Sequence, residues 1–431
     1  MKYFPATLIS RGFLRIIRIL VIIIAIYGLL YHFSINLSLP TQPISYFPEL
    51  VSLERLLGSN QTIDNKFADN VYERANATFV TLARNEDLFD LLAAVQSVEY
   101  SFNSKYKYDW IFFNDKEFSP IFKRYFSKLV SGKAEFHILD EQYWGYPDWV
   151  DLEKAKKSRE DLVAKKIIYG GSESYRHMCR FESGLFYRHP ALNNYKYYWR
   201  VEPGVKYTCL ADKDYFKYME ENDLTYGFTI SLIEHRKTIP SLWNTTLNFL
   251  HQNPQFIHEN NFIDFITDEH MTEYNLCHFW SNFEIADLDF YRSEAYSKYF
   301  DYLDASGGFF YERWGDAPVH SIAASIFLNK TKIHHFDDIG YEHPPFQSCP
   351  SSEQTRLNNK CVCNPKKSFT WSPRSCVGRY YRLQGKLRPK NEITPNIDEP
   401  ISDGSNKLEE IKEKIKTNLE DKKSNKKKGG S

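Results

Sequence analysis

Two short apolar runs with an amphipathic stretch between them constrain this fold more than any other part of the chain. The first, ATFVTLA from Ala77, is apolar and β-branched, the pattern of a buried strand. In the RNED that follows, Asn85 or Asp87 is a candidate helix cap. LFDLLAAVQSVEYSF then carries its apolar residues at helical spacing, and YDWIFFND reads as a second buried strand. Strand, helix and strand in this order make a βαβ unit, which commits both strands to a parallel sheet. Ligands of such sheets bind beyond the carboxyl ends of the strands. Arg84 and Asn85 after the first strand, and Asn114 and Asp115 after the second, therefore mark a candidate nucleotide site. No G-x-G-x-x-G and no P-loop follows the first strand, which argues against a dinucleotide enzyme or a P-loop kinase. A further strand is expected over Tyr197–Val201, ending in the turn Glu202-Pro203-Gly204.

The N-terminus bears on the compartment. Lys2, Arg11, Arg15 and Arg18 precede an uncharged run over 19–31, and no small-residue cleavage site follows it. The expectation is a type II signal anchor: a cytoplasmic tail over 1–18, a short transmembrane helix over 19–33 and a Pro-containing stem over 34–74. A catalytic domain over 75–384 would then face the lumen, and a Lys-rich disordered tail over 385–431 would close the chain. A short span favours the Golgi or early secretory pathway over the plasma membrane. Sequons at Asn36, Asn60, Asn76, Asn244 and Asn329 agree with that placement. So do seven cysteines, four of them crowded towards the C-terminus, which read as staples for a C-terminal extension with one thiol left over. Lys+Arg and Asp+Glu are 55 each, a balance that argues against a nucleic-acid partner. The 30 Tyr and 32 Phe suit either carbohydrate contact or a large aromatic core.

Several residues have the chemistry of a transferase site, each with a plainer alternative. Glu202, just past a strand end, suits a divalent ion held against a diphosphate; it also suits a turn carboxylate paired with Arg200 or Lys206. Glu284 lies in YNLCHFWSNFEIADLDFYR among aromatic and amide side chains, where it is either a carboxylate acting at an anomeric centre or a structural one. Asp316 in WGDAPVH is an acceptor-site residue or a helix N-cap, and His320 beyond it reads as structural. His334, His335, Asp337, Asp338 and His343 cluster in sequence without a metal-motif spacing. Tyr175, Arg176, His177 and Arg180 form either a phosphate clamp or a solvated helix face.

Taken in order, YRHMCRFESGLFY, YYWRVEPGVKY, YNLCHFWSNFEIADLDFYR, GGFFYERWGDAPVHS and HFDDIGYEHPP resemble the fungal Golgi α-1,2-mannosyltransferases of the Kre/Ktr/Mnt group, from about Ala77 to the C-terminal cysteines. The resemblance implies a GT-A-like mixed α/β fold with a Rossmann-like nucleotide half. It implies GDP-mannose as donor, Mn²⁺ as cofactor, and retaining transfer to a mannose 2-hydroxyl of O-linked or N-linked glycans. On this chain it implies Glu202 and His343 as metal ligands and Glu284 as nucleophile or charge stabiliser. Tyr175 would lie close to donor and acceptor, Asp316 at the acceptor and Arg84 on GDP. The rival readings are a mannosylphosphate transferase of the same family and an inactive mannan-binding Golgi protein.

Overall fold

The computed structural model describes residues 72–268 and 272–389. The anchor, most of the stem, and the Lys-rich tail from 390 onward lie outside them. Among the described residues no helix is long and apolar enough to cross a membrane.

The described residues contain twelve strands: β1 Ala77–Leu82, β2 Asp109–Asn114, β3 Ala134–Ile138, β4 Tyr197–Val201, β5 Lys206–Tyr207, β6 Tyr226–Phe228, β7 Ser231–Ile233, β8 Cys277–Phe279, β9 Phe283–Asp287, β10 Ile333–His335, β11 Tyr341–His343 and β12 Phe346–Ser348. Seven of them form the main sheet in the order β10-β6-β9-β4-β1-β2-β3. The expected βαβ unit is there: β1 pairs parallel with β2, and helix α1 Leu88–Val98 is the crossover. Strand β9 runs antiparallel between β4 and β6, so the sheet is mixed. The expected helix cap is not formed by Asn85 or Asp87 towards α1. Asp87 instead accepts from the Arg84 backbone N–H, and Asn85 binds the Glu117 carbonyl and the Ser119 N–H.

The period of two along each strand sends alternate side chains to opposite faces, and both faces are buried. On one side lie Phe79, Trp110, Phe112, Trp199 and Phe283, with Phe79 stacked on Trp110 at 4.5 Å. On the other lie Tyr198, Tyr226, Phe228 and Ala286, covered by helices that include α2 Leu152–Ala164, α3 Glu173–Arg180 and α4 Asp316–Phe327. Most of the large aromatic content is thus core.

Three disulfides join the C-terminal segment to the body and to itself: Cys209–Cys361, Cys277–Cys376 and Cys349–Cys363. Cys179 is the remaining thiol, free and buried. Only one bridge is internal to the C-terminal cluster; the other two reach back to the segments after β5 and at the start of β8.

Candidate active site

The site is built where β4 and β9 lie side by side. Directly opposite residues of an antiparallel pair point to the same face, and the register sets Arg200 against Glu284. Both side chains enter the face covered by α4. Asp316 and His320 are four residues apart on that helix, so they share its inner surface. Asp316 meets Arg200, with Nη1 donating to Oδ2 at 2.5 Å, and His320 Nδ1 meets Glu284 Oε2 at 2.9 Å. Two ion pairs of opposite polarity thus lie one helical turn apart.

Arg200 is a hub. Its Nη2 donates to Glu202 Oε1 at 2.5 Å, and its Nη1 lies 3.7 Å from Glu182 Oε2. Ser281 adds a hydrogen bond to Asp316 at 2.6 Å. Burial pushes the Glu182 carboxyl up to about 7, with Arg200 pulling against it. Burial acts the same way on Asp316, but Arg200 and His320 outweigh it and hold that carboxyl below its usual range. Asp316 is therefore not a capping residue: Gly315 takes the N-cap position, and the Asp316 side chain is committed to Arg200 and Ser281.

Glu284 is fully enclosed. Tyr198 and Tyr291 donate to Oε1, and Tyr226 and His320 donate to Oε2. His320 Nε2 faces the Glu182 carbonyl at 2.9 Å. Both imidazole nitrogens therefore point at acceptors, a setting that favours the doubly protonated ring. Burial opposes charge on both partners. The pairing outweighs it, lowering the Glu284 carboxyl and raising His320. His320 is thus more than a structural residue of the helix start: it is the counter-ion of Glu284.

Glu202 occupies the turn after β4, where Gly204 takes φ +83°, a conformation open to glycine and costly for other residues. The chain then forms β5, which pairs antiparallel with β11 through Tyr341–Tyr207 and Glu342–Lys206. One residue further along β11, His343 comes up to the turn. Its Nε2 lies 3.9 Å from Glu202 Oε2, and both side chains are 27% exposed. His343 Nδ1 donates to the Pro344 carbonyl at 3.0 Å, which leaves Nε2 as the ring nitrogen turned towards Glu202. Two ligands about 2.1 Å from one ion lie at most about 4.2 Å apart, so this pair fits a shared divalent cation. The Arg200 pairing that was the plainer alternative for Glu202 is present at Oε1, and Oε2 faces His343.

The other residues of the His/Asp cluster disperse. His335 binds the Thr229 carbonyl and Tyr381, Asp337 accepts from Ser351, and Asp338 pairs with Lys213. The Tyr175 cluster is neither a solvated face nor a formed phosphate clamp. Arg180 is buried and bidentate on Asp304 at 2.8 and 2.9 Å, and Arg176 is fully buried with Nη1 on the Ser172 carbonyl. Tyr175 is half-buried, with Arg313 over its ring at 5.1 Å. Arg84 is exposed at the end of β1 and paired with Asp87 at 2.8 Å. Beyond the carboxyl ends of β2 and β3 opens a cavity of about 610 Å³, lined by Asp115, Leu139, Trp144, Tyr146, Glu173 and His177 among others.

The mixed α/β sheet and the relatives of this chain define the molecule as a glycosyltransferase. The chain belongs to the glycolipid 2-α-mannosyltransferase family, whose profile matches residues 51–385. It is 56% identical to glycolipid 2-α-mannosyltransferase 2 of Candida albicans over 74% of this chain and 69% of that one. It is 55% identical to the α-1,2-mannosyltransferase KTR1 of Saccharomyces cerevisiae over 73% of this chain and 80% of that one. Among solved structures it resembles core-mannan synthase A (CmsA/Ktr4) of Aspergillus fumigatus in its Mn/GDP form. The TM-score is 0.69 at 45% identity, covering 73% of this chain and 86% of that one.

Proposed function

We propose that this protein is a retaining α-1,2-mannosyltransferase that moves mannose from GDP-mannose to mannose residues of O-linked or N-linked glycans. The observation that carries the reading is the Glu202–His343 pair at the end of β4, since one of the solved relatives binds Mn and GDP. Glu202 and His343 are the residues that would hold Mn²⁺, which would supply positive charge against a departing diphosphate. Arg200 fixes Glu202 by its other oxygen, so the ligand is aimed before the donor arrives. The cavity beyond β2 and β3, with Arg84 at the neighbouring strand end, lies where a parallel sheet places a nucleotide.

Transfer breaks the bond from the anomeric carbon to the GDP phosphate oxygen and forms one from that carbon to the acceptor 2-oxygen, whose proton passes to the departing phosphate. Tyr175 lies beside donor and acceptor, and Asp316 orients the acceptor. Glu284, enclosed and paired with His320, acts on the oxocarbenium-like carbon at a distance through its field, without contact. Its enclosure favours this role over nucleophilic attack, because both oxygens are engaged by four donors. The domain layout proposed with this function is an anchor over 19–33, a stem over 34–74 and a lumenal Golgi catalytic body over 75–384. Three disulfides support an oxidising compartment.

The test is transfer from GDP-mannose to α-methyl mannoside by the full chain in detergent, with Mn²⁺ or EDTA. A neutral α-1,2-linked disaccharide, lost with EDTA, is expected. A phosphodiester product would move the protein to mannosylphosphate transfer. Mannan binding with no product from any acceptor would overturn the enzymatic reading.

A further inference from the structure

Between α2 and α3 the chain makes a tight connection, KKIIYGGS, whose geometry the site described above does not use. Lys166 and Tyr169 both adopt left-handed backbone, at φ +55° and +56°. For a bulky residue such as tyrosine this conformation is an outlier, and it persists only where the surroundings enforce it. Here they do. Ile167 N–H bonds the Leu162 carbonyl, Gly170 N–H the Ile167 carbonyl, and Ser172 N–H the Tyr169 carbonyl at 3.1 Å. A Cβ at Gly170 or Gly171 would strike Leu162 or Val163, so the two glycines let the connection lie flat on α2. Ser172 then caps α3 by accepting from the Tyr175 N–H at 3.2 Å.

The ring displayed by this device is 57% exposed. It stacks on Tyr175 at 4.7 Å and 13° between planes, and Arg313 also lies over the Tyr175 ring. Arg313 is buried and 3.8 Å from Glu234, so the stack is anchored from inside. The acceptor end of the site, at Tyr175 and Asp316, is thereby continued outwards by one rigid aromatic face that is open to solvent. Such a face, fixed in advance, offers a sugar ring apolar contact at little ordering cost.

We propose that Tyr169 is an acceptor-positioning residue that stacks the mannose ring adjoining the one that receives the transfer. The proposal rests on the mannosyltransferase reading. It makes oligomannosides better acceptors than a monosaccharide, because only they reach the platform.

The experiment compares wild type, Tyr169→Asn and Tyr169→Trp as full-length protein in detergent. Asn tolerates the left-handed backbone, so this variant removes the ring without new strain. Steady-state transfer is measured with α-methyl mannoside and with α-1,2-mannobiose. Binding of mannobiose and of GDP with Mn²⁺ is followed separately by calorimetry. Tyr169→Asn is expected to raise KM for mannobiose about five- to tenfold, and to change KM for α-methyl mannoside by no more than about twofold. GDP affinity should stay the same, and Tyr169→Trp should restore mannobiose. Equal KM changes for both acceptors, or no change for either, would overturn the proposal. An absence of transfer by wild type would remove the catalytic reading alone. In that case weaker mannobiose binding by Tyr169→Asn would still support the platform, and unchanged binding would refute it.

Discussion

Two acidic centres sit on neighbouring strands of this sheet, and they are held in opposite ways. Glu284 on β9 is ringed by three phenols and one imidazolium, four donors for two oxygens, with no opening to solvent. Around Arg200 on β4, three carboxyls, those of Glu182, Glu202 and Asp316, share a single guanidinium. The first centre is satisfied and insulated. The second is short of positive charge and reaches the surface through Glu202. The density of donors, as well as depth, separates the two: the neighbours of Glu284 engage both its oxygens, and those of Glu202 leave Oε2 facing His343.

Removing charge from the insulated centre should have the largest effect. Glu284→Gln leaves imidazolium His320 buried without a counter-ion, an expected loss of about 3–5 kcal/mol in chemical denaturation. A loss under about 1 kcal/mol would mean that the phenols, rather than the ion pair, hold this centre. At the open centre the effect should fall on function. Glu202→Ala is expected to weaken Mn²⁺ activation of transfer by at least about 10²-fold, with little change in melting temperature. Unaltered Mn²⁺ dependence would remove Glu202 as a ligand.

The pH response should differ in shape between the two. Glu284 is lowered and His320 raised, so their pair adds its full stability between about pH 4.3 and 6.5. That contribution is lost as pH falls through the Glu284 value or rises through the His320 value. The melting-temperature gap between wild type and His320→Gln should peak in that window. Glu182 is raised to about 7, so the folded state keeps its proton and stability falls as pH rises from about 4.3 to 7. Glu182→Gln should flatten that fall, and an unchanged slope would show that Glu182 does not titrate there. The smallest expected change is Ser281→Ala, which removes one bond to Asp316 and costs about 1 kcal/mol.

What could be read from the chain alone follows from distance along it. β1, α1, β2 and β4 were legible because each is set by a local apolar pattern. Glu202 was legible because a Pro-Gly turn follows it at once. The mixed character of the sheet came only from the family resemblance, since nothing local marks β9 as an antiparallel insertion. Glu182 and the phenols of Tyr198, Tyr226 and Tyr291 were missed. They converge from separate segments, and a tyrosine in an aromatic-rich chain carries no mark of its partner. His320 was read as structural for the same reason: its partner lies 36 positions away, across a strand. The period of four from Asp316 to His320, opposite the Arg200–Glu284 pair, was the one signal that would have found it. The burial of Arg176 and Arg180 is not legible in the sequence, because a charge-rich stretch carries no mark of the helices packed on it.

The disulfides carry a consequence in time. His343 belongs to a strand followed by a segment whose cysteines reach back to Cys209 and Cys277, across 152 and 99 residues. Links over such lengths remove much of the freedom of an unfolded chain, about 4 kcal/mol or more each. A newly made chain could pair β1, β2 and β4 from local pattern alone, yet it would carry Glu202 opposite a loosely held histidine. On the proposed reading, oxidation would be the closing act of assembly, the step that fixes His343 against Glu202.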